Sequence, residues 1–294
     1  MSKKLLFIIN PMAGRNQAQT DLYKMVKIFS DHDYEVTVYP TRARLDCTRK
    51  VTENAGEYDL IVCCGGDGTL NEMVSGMMQR QDRRPMGYIP LGSTNDLAVS
   101  LRLPTRVEEA ALRAVTGSEF HMDVGTLNDR YFNYIAAFGA FTETSYATPQ
   151  EIKNALGHLA YILEGVKSLG KIQPIHARVT ADGEQFEQDY LFGAVTNTVS
   201  LGGVLKLDPD RVLLDDGMYE LLLVKNPVNA IEAQAMLSAL MTQNYEGSLV
   251  SLRRAADITF ETSHAVSWTI DGEFGGSFSH SHIVNNKNAV TLII

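Results

Sequence analysis

Short apolar runs alternate with helical patterns over the first hundred residues. The run at 5–9 is continuous, as in strands that are covered on both faces. A helix is predicted after it, because apolar residues recur there at three- and four-residue spacing. Further strands are predicted over 34–39, 59–64 and 87–90, and further helices over 45–55, 69–78, 95–101 and 106–116. This alternation is typical of a mainly parallel α/β sheet.

The pattern changes near residue 120, where alternation with a period of two begins. Strands are predicted over 122–127, 131–138, 175–179, 190–194, 219–224, 257–260, 266–270 and 289–294, and helices over 151–169 and 229–243. We therefore expect an α/β domain over 1–120 and a larger, mostly antiparallel β-rich domain over 121–285. The last residues, about 286–294, can return to the first domain.

Composition narrows the class of protein. The chain has 294 residues, of which 45% are apolar, so it can bury a substantial core. Its apolar runs are much shorter than the roughly 20 residues that cross a bilayer, and no transmembrane segment or signal peptide is expected. Its three cysteines form neither a disulfide framework nor a zinc spacing, which favours a cytoplasmic location. The net charge of −9 argues against a nucleic-acid partner.

A glycine-rich loop follows the predicted strand over 59–64. Gly65, Gly66 and Gly68 would let backbone N–H groups approach an anion without obstruction from Cβ atoms. Thr69 and Glu72 have the spacing of a capping box, which predicts a helix N-terminus beside the loop. The loop lacks the lysine of a Walker A motif and the spacing of a dinucleotide fingerprint. It is therefore interpreted as a phosphate cradle, and an ordinary tight turn is the alternative.

Two further loops follow predicted parallel strands. They are Asn10-Pro-Met-Ala-Gly14 and Pro90-Leu-Gly-Ser-Thr-Asn-Asp96. Each loop alone is more often a plain turn with a helix cap, but parallel strands end at the same edge of a sheet, where ligands bind. Asp67, an acid within the glycine loop, is then expected to accept a hydrogen bond from the ligand or to orient Mg²⁺ through water.

These three loops, in this order, resemble the diacylglycerol kinase catalytic family, and most closely its soluble bacterial lipid kinases. The resemblance continues through Leu213-Leu-Asp-Asp-Gly-Met218 and Asp271-Gly-Glu273, so it spans nearly the whole chain. The glycine block alone is shared with NAD kinases and phosphofructokinases. The family pattern has an arginine where this chain has Val99, and a glycine where it has Arg102, which puts any contact of that arginine in doubt.

The resemblance implies an ATP- and Mg²⁺-dependent lipid kinase with its active site in the cleft between a nucleotide-binding α/β domain and a β-rich lipid-substrate domain. It implies Glu273 as the general base, within a catalytic group that includes Asp271 and Asp67, and a Mg²⁺ site at Leu213, Asp216 and Met218. It implies that ATP is held by Asn10, Pro11, Met12, Ala13, Gly14, Thr41, Gly65, Gly66, Asp67, Gly68, Thr69, Leu70, Asn71, Thr94, Asn95 and Asp96.

The acceptor implied by the resemblance is diacylglycerol or a related lipid alcohol at the membrane surface, with phosphatidic acid as the product. The protein would then be cytoplasmic and transiently membrane-associated, and a homodimer through the β-rich domain is possible. Two alternatives stay open. One is an NAD kinase-like phosphotransferase, and the other is a nucleotide-binding regulator that has lost catalysis.

Overall fold

The chain forms two compact units. The computed structural model describes residues 2–140, 173–201, 205–208 and 212–294. The first unit contains Met1–Val124 and Asn286–Ile294, and the second contains Gly125–Asn285. The helix predicted over 151–169 lies outside the described residues.

The first unit alternates strands and helices. Its strands are β1 (Lys3–Ile9), β2 (Tyr34–Pro40), β3 (Leu60–Gly65) and β4 (Met86–Pro90). Its helices are α1 (Gln17–Thr20), α2 (Leu22–Asp31), α3 (Asp46–Asn54), α4 (Asp67–Met78), α5 (Asp96–Ser100) and α6 (Val107–Thr116), with 3₁₀ turns at Ala13–Asn16 and Ala55–Glu57.

β1 lies in the middle of this unit's strands. It pairs in parallel with β2 and with β3, and β3 pairs in parallel with β4. Residues 5–9 are buried because helices cover the strand, and Phe7 packs edge-on against Phe29 of α2 with 5.2 Å between ring centroids. Near the C-terminus, Leu292 pairs in parallel with Met86 of β4. The loops that follow β1, β3 and β4 therefore begin at one edge of the unit.

The second unit is rich in β-strands. Its elements are β5 (Glu119–Leu127), β6 (Arg130–Phe132), β7 (Ile135–Gly139), β8 (Ile175–Ala181), β9 (Glu184–Thr196), β10 (Ser200–Leu201), β11 (Leu205–Lys206), β12 (Tyr219–Lys225), α7 (Ala230–Thr242), β13 (Val250–Ala255), β14 (Asp257–Ile270) and β15 (Glu273–Ile293). β5 and β15 each have some residues in the first unit and some in the second.

Long antiparallel strands organise the second unit. β9 pairs antiparallel with β7, β8 and β12, and β14 pairs antiparallel with β7, β8 and β15. The strands predicted over 257–260 and 266–270 are one strand, β14, whose register shifts between Glu261 and Val266. β14 thus continues through the stretch 262–265, which separates the two predicted strands, although its pairing with β15 is interrupted there.

Apolar clusters cover both faces of β9. Val195 belongs to a cluster that contains Trp268, whereas its neighbour Ala194 belongs to a cluster with Met236 of α7. This follows from the alternation of side chains along a strand. α7 begins after Asn229, whose side chain accepts a hydrogen bond from the Glu232 amide. Among the described residues, none of the helices has the length and apolarity needed to cross a membrane.

Candidate active site

Three loops of the first unit are joined by hydrogen bonds. The Asn10 amide donates to the Cys64 carbonyl at 2.9 Å, and the Asn10 side chain donates to the Thr69 hydroxyl at 3.4 Å. The Leu91 amide donates to the Gly65 carbonyl at 2.7 Å. The structure therefore brings together the three loops on which the sequence interpretation depends.

Two glycines in these loops approach each other closely. A Cβ atom added to Gly92 would lie 2.7 Å from the Cα atom of Gly66, and one added to Gly66 would lie 3.1 Å from the Cα atom of Gly92. A Cβ atom on Gly92 would also meet the Asn95 side-chain oxygen at 2.5 Å. Because the contact with Gly66 is a backbone contact, which cannot move aside as the end of a flexible side chain can, a larger residue at position 92 would push the loops apart.

The helix after the glycine loop starts earlier than predicted, and the expected capping box is wrong. α4 begins at Asp67, and Gly66 precedes it without a capping side chain. The Glu72 carboxylate instead accepts hydrogen bonds from the amides of Leu45 and Cys47, at 2.8 and 3.2 Å. Glu72 bonds to these two amides rather than within its own helix because they lie at the start of α3, which packs against α4. A helix N-terminus without a side-chain cap can receive an anion.

Asp67 occupies a half-buried position at the start of α4. Its Oδ2 atom accepts a hydrogen bond from the Thr94 hydroxyl at 3.2 Å. Its Oδ1 atom is buried, and it has no hydrogen-bond partner within the described part of the chain. The pKa of Asp67 is raised, because the effect of burial outweighs the opposing effects of the Thr94 hydroxyl and of the amides of Asn95 and Asp96. This unpaired oxygen can accept a hydrogen bond from a donor group of a ligand or from water bound to a cation.

Asn95 fixes the shape of the third loop. It has the left-handed backbone conformation, with φ of 52°. Its side-chain oxygen accepts from the Gly92 amide at 2.8 Å and from the Tyr88 hydroxyl at 3.2 Å, and its side-chain nitrogen donates to the Gly92 carbonyl at 3.0 Å. The loop is therefore held in place before any ligand binds, and Asp96 follows it, buried, as the first residue of α5.

Other predicted nucleotide residues lie beside these loops. The Thr41 amide, after β2, donates to the Ile9 carbonyl at 2.9 Å, and the Met12 amide donates to the Asn10 side chain at 3.0 Å. The Asn71 side chain accepts from the Ser75 hydroxyl at 3.4 Å. Val99, where the family pattern has arginine, is exposed.

In the second unit, Asp271 and Gly272 form the tight turn between β14 and β15. Both residues have positive φ, and Ile270 pairs with Glu273 across the turn, as in a two-residue hairpin. The buried Asp271 carboxylate accepts hydrogen bonds from the amides of residues 133, 134 and 135, at 2.7, 3.1 and 3.2 Å. Asp271, predicted within the catalytic group, therefore anchors the turn, and Glu273 next to it is exposed.

The loop predicted to bind structural Mg²⁺ has a different arrangement. One oxygen of the Asp216 carboxylate accepts from the Met218 amide at 2.9 Å, and the other pairs with the Arg254 guanidinium. Leu213 is half-exposed. Within the described ranges, no group of three or more histidine, cysteine or acidic side chains could hold a metal ion. Asp216 is thus paired with Arg254, and the Mg²⁺ site formed by Asp216 with the carbonyl oxygens of Leu213 and Met218 stays a prediction.

Asn133 and Asn197 were not predicted as site residues. Both side chains are buried in the second unit next to the Asp271 turn. Their signal in the sequence is a polar residue that interrupts or directly follows an apolar run, as in Tyr131-Phe-Asn-Tyr-Ile135. Such an interruption also occurs at ordinary strand ends, so it does not identify a site by itself.

Comparison with known proteins gives the family. Residues 4–127 match the diacylglycerol kinase catalytic domain, and residues 141–293 match the YegS C-terminal NAD kinase beta sandwich-like domain. The chain is 33% identical to the diacylglycerol kinase of Bacillus subtilis (strain 168) over 97% of both chains. It is 32% identical to that of Staphylococcus aureus (strain bovine RF122 / ET3-1), over 94% of this chain and 88% of the relative.

A solved structure shares the fold. It is a crystal structure from Bacillus anthracis str. Sterne described as a proposed diacylglycerol kinase, with a TM-score of 0.82 and 27% identity over 99% of this chain and 97% of that one. Together the matches define a lipid kinase with a β-rich C-terminal domain. The chain belongs to the diacylglycerol kinase family.

Proposed function

We propose that this lipid kinase transfers the γ-phosphoryl group of ATP to the hydroxyl of diacylglycerol and forms phosphatidic acid, with Mg²⁺ bound to the nucleotide. The observation that carries this proposal is the convergence of the loops after β1, β3 and β4 in the first unit. Glycines 66 and 92, in two of these loops, are in direct backbone proximity, which a phosphate chain needs if amides are to surround it.

The first unit would hold the donor. Backbone amides at the start of α4 and in the loop after β4 would bind the phosphate oxygens, and the open Asp67 oxygen would accept from the nucleotide or from water on its metal. Bound Mg²⁺ would neutralise charge on the phosphate oxygens. Because the Asn95 side chain already fixes its loop, little ordering would be needed when ATP binds.

Glu273 would act on the acceptor. Its carboxylate accepts the hydroxyl proton while the hydroxyl oxygen forms a bond to the γ-phosphorus, and the bond between that phosphorus and the bridging oxygen breaks to release ADP. The anchored Asp271 turn supports this role, because three amide hydrogen bonds fix the backbone two residues before Glu273. A general base needs such a fixed position.

Purified protein with labelled ATP, Mg²⁺ and mixed micelles of diacylglycerol tests the proposal. We expect label in phosphatidic acid, and a loss of about a hundredfold or more in kcat for Glu273→Gln, the range of general-base catalysis. Glu184→Gln, at an exposed glutamate of the same unit, is the matched control and should keep full activity. Label in NADP would instead support the NAD kinase-like alternative, and no transfer to any acceptor would support the inactive regulator.

Contact with the membrane belongs to the same proposal. Val228, Ile231 and Met241, on α7 and just before it, are 79%, 82% and 80% exposed. The stretch 226–252 has two acids and no basic residue. Its exposed apolar side chains therefore suit the boundary between the head groups and the acyl chains of a membrane. The face from 231 to 241 is only about 15 Å long, which is small for a stable protein interface of about 800 Å² per partner.

Sedimentation with phosphatidylcholine vesicles that contain diacylglycerol tests this contact. Ile231→Asp and Met241→Asp should weaken binding of the protein to vesicles, whereas Tyr23→Asp, at an equally exposed apolar residue of the first unit, should not. Equal vesicle binding by all three variants would exclude α7 as the docking surface and would leave the kinase assignment in place.

A further inference from the structure

Two asparagines in the second unit are buried without hydrogen-bond partners. Asn133 is 1% exposed and Asn197 is 0% exposed. Among the residues that the structure describes, neither the Oδ1 nor the Nδ2 atom of either side chain makes a hydrogen bond. Buried polar atoms in folded proteins are nearly always paired, with protein, water or ligand. These four atoms therefore indicate a polar guest.

Backbone hydrogen bonds connect both asparagines to the turn that carries Glu273. The Asn133 amide donates to the Asp271 carboxylate at 2.7 Å. The Asn197 amide donates to the Tyr134 carbonyl at 2.8 Å, and the Tyr134 amide donates to Asp271 at 3.1 Å. The two side chains thus project from segments that share one hydrogen-bond network with the proposed general base's turn.

The segments that form this network are polar and contribute no basic side chain of their own, although the Arg130 guanidinium donates to the Phe274 carbonyl at 3.1 Å. Thr196 and Thr198 are fully buried beside Asn197, and the Thr196 hydroxyl donates to the Tyr134 carbonyl at 2.8 Å. The segments 131–139, 190–198 and 266–276 contain no lysine, arginine or histidine. The Asp271 carboxylate is already occupied by three amides. Such a site suits hydroxyl and ester oxygens and disfavours an anionic head group.

We propose that Asn133 and Asn197 bind the polar head of a neutral lipid alcohol, with their amide groups on its hydroxyl and ester oxygens. The proposal rests on the proposed lipid kinase function and narrows its acceptor to uncharged glycerolipids, against phosphatidylglycerol. A carboxamide offers both donors and an acceptor, so it can pair with a hydroxyl in either direction. The stability that the two unpaired side chains cost in the free protein is then recovered when the acceptor binds.

Replacement of each asparagine by leucine, which has nearly the same shape, tests the proposal. Binding of a water-soluble short-chain diacylglycerol is measured by calorimetry without ATP, and thermal unfolding is measured without lipid. Asn133→Leu and Asn197→Leu should each weaken lipid binding about tenfold, as expected for loss of a neutral hydrogen-bonding partner. Their unfolding temperatures should be unchanged or raised, because no hydrogen bond of the free protein is lost.

Asn128→Leu is the matched control, because its side chain accepts a hydrogen bond from the His282 amide at 2.9 Å. This variant should unfold at a lower temperature and bind the lipid normally. Unchanged lipid binding by both Asn133→Leu and Asn197→Leu, or a marked drop in their stability, would overturn the proposal and indicate internal water only. Equal affinity of the unaltered protein for short-chain phosphatidylglycerol would also overturn it. An unaltered protein that phosphorylates no lipid would instead contradict the proposed function.

Discussion

Asp271→Asn isolates the contribution of one buried carboxylate to the second unit. Asparagine is also favoured in the Asp-Gly type of hairpin turn, so the backbone can keep its positive φ at this position. Only the charge and one acceptor atom change. The Asp271 carboxylate accepts three amide hydrogen bonds, two at Oδ1 and one, from Asn133, at Oδ2.

The structure sets the size of the effect. With the carboxamide oxygen in the place of Oδ1, the new NH₂ group faces the Asn133 amide, so that bond is lost and a buried donor is left unpaired. A hydrogen bond to a charged group contributes about 1.5–3 kcal/mol, and one to a neutral group about 0.5–1.5 kcal/mol. One lost bond and two weakened ones lower the free energy of unfolding by about 3–5 kcal/mol.

Urea unfolding followed by tryptophan fluorescence measures this change directly. The chain has one tryptophan, and Trp268 is buried three residues before Asp271. For a slope of about 2 kcal/mol per molar, the midpoint should fall by roughly 1.5–2.5 M. Asp182→Asn is the matched control, since it alters a similar Asp-Gly turn whose carboxylate is exposed and accepts from the Ala256 and Asp257 amides. Equal midpoints for the two variants would refute the reasoning.

Two further predictions concern the glycine contact and a surface histidine. Gly92→Ala should weaken ATP binding about five- to a hundredfold, because its Cβ atom would meet the Gly66 backbone at 2.7 Å, whereas Gly247→Ala, with no atom nearer than 3.8 Å, should bind normally in the same titration. Hydrogen bonds to Asp189 and Glu187 raise the pKa of His176, so its stabilising effect should be complete below its ordinary pKa of about 6.5 and should vanish as pH rises through the raised value. The urea midpoint of His176→Gln should therefore fall below that of the unaltered protein at about pH 5.5 and match it at about pH 9; a constant difference would contradict this.

Local patterns predict much of this fold. The strand predicted over 5–9 is confirmed as part of β1, because a strand covered on both faces needs a continuous apolar run. The helix predicted over 229–243 is confirmed as α7, which begins at Ala230 after an asparagine cap. In both segments, the residues that determine the structure lie within the segment itself.

Long-range partners explain what the sequence does not predict. Glu72 has the spacing of a capping residue, yet its carboxylate accepts from amides more than twenty residues earlier in the chain. The partners of Asp271 lie more than 130 residues away. Asn133 is within a predicted strand, and only the packed unit shows that its side chain is buried and unpaired. Local periodicity does not contain such information.

The charge of the candidate donor site decides how it can bind a triphosphate. The loops at 10–14, 65–71 and 90–96 contain no lysine or arginine, although the chain carries a net charge of −9. Within these loops, favourable interaction with phosphate would come from oriented amides, the uncapped start of α4 and a metal ion that accompanies the nucleotide. Amides act only at hydrogen-bond distance, unlike a lysine, which attracts phosphate over several ångströms. This is a physical reason why the loops must pack as closely as Gly66 and Gly92 do, and why a single methyl group between them matters more than the loss of a surface charge.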